Sequence, residues 1–121
     1  ENPPFSRAVV YDIADSSSDR AEWTATQRWE HIDFEDNGDL AYSSFISDAD
    51  MLSNGNVLVT HGGIGTFPPV PDDPLHILIR EIVPDGDSGG DVVWELQGAD
   101  GFVTYRAERI ESFYFGPQFT S

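Results

Sequence analysis

Residues 52–63 read LSNGNVLVTHGG. The stretch holds a turn, a run of β-branched and aliphatic residues, and a histidine set against two glycines. Asn54-Gly55 supplies the positive φ angles of a two-residue hairpin turn, so 50–52 and 57–59 are expected to pair antiparallel. Val57, Val59 and Thr60 favour a pleated, half-buried surface over a helix. Gly62 and Gly63 carry no Cβ, so a ligand or another backbone can come close beside His61. Two readings of His61 stay open on this stretch alone: it carries chemistry, or it marks the end of a strand.

The pattern continues in both directions. Short apolar runs rich in Val, Ile, Phe, Tyr and Trp alternate with Gly, Pro, Asn and Asp clusters, which is how an all-β chain reads. Strands are predicted at 8–13, 26–31, 47–52, 57–61, 76–82, 92–96 and 104–112. PDGDSGGD, residues 84–91, is a second turn between strands. FPPVPDDP, residues 67–74, holds four prolines and cannot be a central strand, because proline has no N–H for the ladder. It is expected to be a surface loop. Gly, Pro or β-branched residues interrupt every helical window.

One internal echo organises the chain. RAVVYDI (7–13) is followed by TQRWEH (26–31), and HILIREI (76–82) by DVVWEL (91–96). Each pair is an apolar strand, a polar turn and a strand carrying Trp-Glu. Self-similarity with strands in each unit is the mark of β-propeller blades and β-solenoids. The expected fold is therefore all-β, with antiparallel blades of a propeller. Residues 1–46 give the outer strands of one blade and an acidic loop. Residues 47–98 give one four-stranded blade, and 99–121 a closing strand and tail. A lone blade cannot bury both faces, so the chain is expected to be a fragment of a ring or to assemble with copies of itself. A small independent β-sandwich is the alternative.

Charge narrows the partners. Twenty-two acidic residues face six arginines, with no lysine, for a net charge of −16. That argues against nucleic-acid binding through phosphates and against docking on anionic membranes. Self-repulsion that keeps the chain soluble accounts for it, and cation binding is the functional counterpart. No cysteine is present, which excludes disulfides and thiolate metal sites. No apolar run nears the ~20 residues of a membrane span. ENPPFSRAVVYD, at the start, has no signal-segment pattern and reads as mid-protein sequence.

Three pieces carry a family resemblance: the Asp48 to Leu58 hairpin (DADMLSNGNVL), the VPDG and VVWEL pair, and YRAERI at 105–110. In this order they resemble the C-terminal part of bacterial arylsulfotransferase-type β-propellers, from Ser6 to Tyr114. The resemblance implies a six-bladed ring, extracellular or periplasmic. It implies transfer of a sulfuryl group from a phenolic sulfate ester to another phenol, without a nucleotide donor. A histidine is the covalent carrier, helped by further histidines and an arginine around the channel. Most of that set would lie on blades outside this chain.

Candidate residues follow. His61 is the candidate nucleophile, since a neutral imidazole can attack sulfur and hold the group. Arg80, Arg106 and Arg109 are the candidate cations for an anionic transition state. The alternative is a strand-capping His61 and an exposed 105–109 strand pairing Arg with Glu across the ladder. His31 is expected to be exposed beside acids, and His76 to open a strand. No two histidines show zinc-ligand spacing. DFEDNGDL, residues 33–40, partly matches a calcium loop, with Asp33, Glu35, Asn37 and Asp39 as candidate oxygen ligands. Ser44 stands where such a loop has its closing Glu, and a solvated acidic turn is the competing reading. Asp85 to Asp91 could offer oxygens too. Trp23, Trp29 and Trp94 are expected as core between blades. The competing function is a non-catalytic acidic β module for self-assembly or calcium-dependent binding.

Overall fold

The computed structural model describes residues 3–110. Six strands form two antiparallel sheets: β1 (Arg7–Ala14) with β2 (Thr24–Ile32), and β3 (Ser47–Met51), β4 (Val57–Ile64), β5 (His76–Pro84) and β6 (Gly90–Gln97) in sequential order. Across the described residues the fold is all-β and blade-like, with no closed barrel. Among the described residues, the one helical element is a single 3-10 turn, Arg20–Glu22, capped by the Asp19 carboxylate on the Ala21 N–H.

The hairpin at the centre forms as its sequence requires, with Asp50 opposite Leu58 and Met51 opposite Val57. The turn itself is longer than two residues. The Gly55 N–H donates to Leu52 O and the Leu52 N–H to Asn56 O, and Gly55 alone carries a positive φ, +87°. This is the three-residue loop with a left-handed glycine, so Asn54 is spared a strained conformation. Its side chain instead accepts from the Asn56 N–H.

Strand register divides the four-stranded sheet into two faces. Val57, Val59, His61, Leu78, Arg80 and Ile82 point to the first, and Leu58, Thr60, Ile79, Glu81, Trp94 and Leu96 to the second. The β1–β2 hairpin lies over the first face. Trp29 and Ala8 pack there against Val57, Val59 and Ile82, with Val10 at the margin. The glycine-rich turn after β5 clasps β2 from the other side. The Trp29 Nε1–H donates to Gly89 O at 2.7 Å, and the Gly89 N–H donates to Glu30 O. Of the three tryptophans, Trp29 alone is core between sheets; Trp23 and Trp94 are exposed.

The segment after β6 crosses the second face. The Thr104 N–H donates to Gly62 O at 3.0 Å, and a Cβ on Gly62 would stand 1.9 Å from Thr104 O. The close approach foreseen at Gly62 is therefore made by backbone. The strand expected over 104–112 does not form across 104–110, and its last two residues lie outside the described ones. Alternating charge alone cannot make a strand where no neighbouring edge supplies a ladder. The proline-rich loop is on the surface, with Phe67 and Val70 exposed.

Candidate functional site

Asp33 is the first residue after β2. The chain turns inward here, and the Ala41 N–H closes the loop on Asp33 O. The side chain enters the junction between the two sheets and is only 3 % exposed. Oδ1 accepts from His31 Nε2 at 2.8 Å and from an Arg80 amino group at 3.0 Å, while Oδ2 accepts from His61 Nε2 at 2.8 Å. Each partner reaches it from a different element. His31 comes from β2, two residues before Asp33, so both lie on one side of the strand. His61 and Arg80 come from β4 and β5, on the same face by register.

Burial by itself would raise the Asp33 pKa, but hydrogen bonds from His31 and His61 and the Arg80 guanidinium outweigh it. The carboxyl is held well below its usual range. An ionised carboxylate only accepts, so both imidazoles donate through Nε2–H. A neutral ring then keeps its lone pair on Nδ1. In both histidines Nδ1 is buried with no protein partner. His31 also stacks on Trp29, with ring centroids 5.8 Å apart and planes 3° from parallel.

Arg80 is held further by Glu95 at 2.7 Å and Phe34 O at 2.6 Å. Its burial opposes its charge, but Glu95 and Asp33 push its pKa up, so it stays a cation. Beyond it a shallow cavity of about 200 Å³ is lined by Glu35, Asp36, His76 and Gln97. His76 Nε2 meets Glu35 there at 2.6 Å.

The structure brings His61 and Arg80 together, through Asp33. It leaves Arg106 and Arg109 elsewhere. Arg106 pairs with Glu108 on the surface at 2.9 Å. Arg109 pairs with Glu81 on the opposite face of the sheet. Glu81 also accepts from the side chains of Asn56 and Asn54, which together with Arg109 lower its pKa against burial. The four residues read as calcium ligands have other partners. Asp33 faces the histidines, Glu35 faces His76, and Asn37 and Asp39 bond each other around Gly38. Among the described residues, no group of three His, Asp or Glu side chains is placed to hold a metal ion.

Sequence reading missed two members. His31 was expected to be exposed, but its side chain is 11 % exposed because Trp29 and Asp33 cover it. Asp33 was read as part of an acidic loop. One signal was available: His31-x-Asp33 places both groups on one side of an extended chain.

A blade-type antiparallel sheet, flanked by a hairpin and stapled to it by a buried His–Asp–His–Arg cluster, defines an all-β protein with an ionic group between its sheets. The chain belongs to the arylsulfotransferase (ASST) family, whose model matches residues 1–106. No curated protein and no solved structure matches it significantly.

Proposed function

We propose that this chain takes part in transferring a sulfuryl group between phenolic compounds, as blades of an exported β-propeller, with His61 as carrier. Family membership carries the reading. The Asp33 contact supports it, because a carboxylate on Nε2–H fixes the tautomer whose Nδ1 is nucleophilic. Nδ1 is buried, so the step requires that it be uncovered to substrate; it would then attack the sulfur of an aryl sulfate as the S–O(aryl) bond breaks and the phenolate leaves with the electron pair. A second phenol, its proton passing through water to the released phenolate, would then attack the same sulfur and break the N–S bond, restoring the imidazole. Arg80 acts as a positioning residue that keeps Asp33 ionised. Arg106 and Arg109 have no part in this step.

A second reading has its own observation. His61 is 2 % exposed, so the cluster can serve as a staple between sheets in a non-catalytic module.

The test is to incubate the protein, purified from its source cells, with para-nitrophenyl sulfate and look for sulfation. Under the first reading the His61 peptide gains the mass of one SO3 group, and a phenol acceptor removes it. His61→Gln keeps a hydrogen-bond donor for Asp33; it should abolish that gain while the circular dichroism spectrum stays unchanged. Turnover that persists in the folded variant, or no sulfated histidine, refutes the carrier role and leaves the staple.

A further inference from the structure

Arg80 has an unused edge. Its Nε–H donates to Glu95, and Nη1 donates to Asp33 and to Phe34 O. Nη2 has no hydrogen bond among the described residues; Asp36 Oδ1 stands 3.6 Å away. Donors left unpaired on a buried side chain are rare, because each costs its desolvation. Arg80 is 7 % exposed, and with Asp36 it lines the cavity of about 200 Å³ beside β5. The free edge therefore points to something that this cavity holds.

The same cavity holds the most accessible histidine. The His76 side chain is 29 % exposed, against 11 % for His31 and 2 % for His61. Its Nε2 meets Glu35 at 2.6 Å, so with Glu35 as a carboxylate Nε2 keeps the proton and Nδ1 the lone pair. A carboxylate-backed imidazole of this kind is a general base. Ile77 and Leu78 add an apolar wall. Charge decides what enters. Asp33, Glu35, Asp36 and Glu95 stand on or beside the walls against one guanidinium, so an anion is repelled and a neutral group is not. The volume lies below the ~300 Å³ at which drug-sized pockets begin, which limits the occupant to one small ring.

We infer that this cavity is a subsite for a neutral phenol, the acceptor of the transfer, whose oxygen accepts from Arg80 Nη2 and whose O–H donates to His76 Nδ1. The aryl sulfate donor is an anion and is turned away by the same carboxylates. The acceptor role rests on the proposed transfer; binding of the phenol as a neutral molecule does not. His61 faces Leu78 across the ladder, and His76 and Arg80 stand two residues to either side of Leu78 on the same face. Both are therefore diagonal neighbours of His61, ~7–8 Å from it. In the second half-reaction the phenol O–H bond breaks and its proton passes to His76 as the oxygen bonds to sulfur. The N–S bond breaks, and its electron pair returns to His61 Nδ1. His76 then gives the proton through water to the phenolate released earlier.

para-Nitrophenol tests the subsite, because only its phenolate is yellow. At a pH where the free compound is half ionised, adding the protein purified from its source cells should bleach the yellow band saturably, as the neutral form is drawn into the cavity. para-Nitrophenyl sulfate should not compete. His76→Gln keeps a donor for Glu35; it should lose the bleaching while the circular dichroism spectrum stays unchanged. Asp36→Asn, at a side chain that is 76 % exposed, removes one repelling charge and should let the sulfate ester compete. In the transfer itself, His76→Gln should leave sulfation of His61 unaltered and slow its discharge to a phenol by about 100-fold or more. If no histidine is sulfated, the acceptor role falls with the carrier reading, while the bleaching still decides whether the cavity binds a neutral phenol. An unchanged or stronger yellow band overturns the subsite. So does bleaching or discharge that survives in folded His76→Gln, and so does a sulfate ester that competes in the native protein or still fails to in Asp36→Asn.

Discussion

Replacing Asp33 with alanine should be the most damaging single change at the sheet junction. The substitution removes the acceptor for two imidazole N–H groups and one guanidinium, all within a buried site. Removing one partner of a buried ionic group costs about 3–5 kcal/mol, because the remaining charge stays desolvated. Arg80 keeps Glu95 and Phe34 O, so the loss should not exceed that range. Whole-domain stability is about 5–15 kcal/mol, so the loss is a large share. With a urea slope of about 2 kcal/mol per molar, the midpoint should fall by about 2 M with the slope unchanged. Asp33→Leu combined with Arg80→Met should recover much of this, since an apolar replacement of a buried pair is often neutral. If Asp33→Ala shifts the midpoint by less than about 0.5 M, the cluster does not hold the two sheets together.

Three further outcomes are expected. Because Asp33 has its pKa depressed in the folded state, its contribution is present above its unfolded value of 3.8 and is lost as pH falls below that. The urea-midpoint gap between the native chain and Asp33→Asn should therefore be constant at neutral pH and close below about pH 4; a gap that widens in acid contradicts this. Gly62→Ala should displace the crossing segment, since its Cβ would overlap Thr104 O, and hydrogen exchange at the Thr104 amide should accelerate; a still-protected amide means the segment is held by other contacts. Trp29→Ala should cost about 3–5 kcal/mol and Trp94→Ala in the isolated chain about 1 kcal/mol or less, measured by urea denaturation; equal losses would mean that the two tryptophans are equally packed.

The four-stranded sheet was legible because each of its strands is bounded by residues that cannot continue a ladder. The 47–52, 57–61, 76–82 and 92–96 segments match β3 to β6 to within a few residues. The Asn-Gly-Asn turn was legible as a hairpin but not in its length, since two- and three-residue loops share the same left-handed glycine. The cluster was less legible. His61 and Arg80 stood out as single residues, but Asp33 meets them across 28 and 47 positions of sequence, and nothing local to DFEDNGDL separates an inward-turning aspartate from a solvated one. The 104–112 segment failed for a related reason. Its alternation is local, whereas a strand needs an edge to pair with, and within 104–110 only the Thr104 N–H bonds to a strand, at Gly62 O.

The two hairpins make a comparison that bears on what the cluster is for. Counting from the tryptophans, His31 and Asp33 follow Trp29 by two and four residues, and Leu96 and Gly98 follow Trp94 in the same way. The second hairpin therefore has a bulge-aimed tryptophan with no histidine or aspartate at the two positions that follow it on its strand, the charged pair beside it being Glu81 and Arg109. Packing Trp29 on β4 and β5 is itself done by the indole and apolar neighbours, Val57, Val59 and Ile82. A buried carboxylate with a guanidinium and two imidazoles adds a desolvation cost that a leucine would not. The first junction keeps the costlier arrangement, so its four side chains supply what apolar packing cannot. They fix one register between the sheets, because only one alignment satisfies every donor on Asp33, and they hold two imidazoles in a defined tautomer. Either gain is specific to the junction between β2 and β4–β5. Any chemistry carried by the described residues is therefore best sought there.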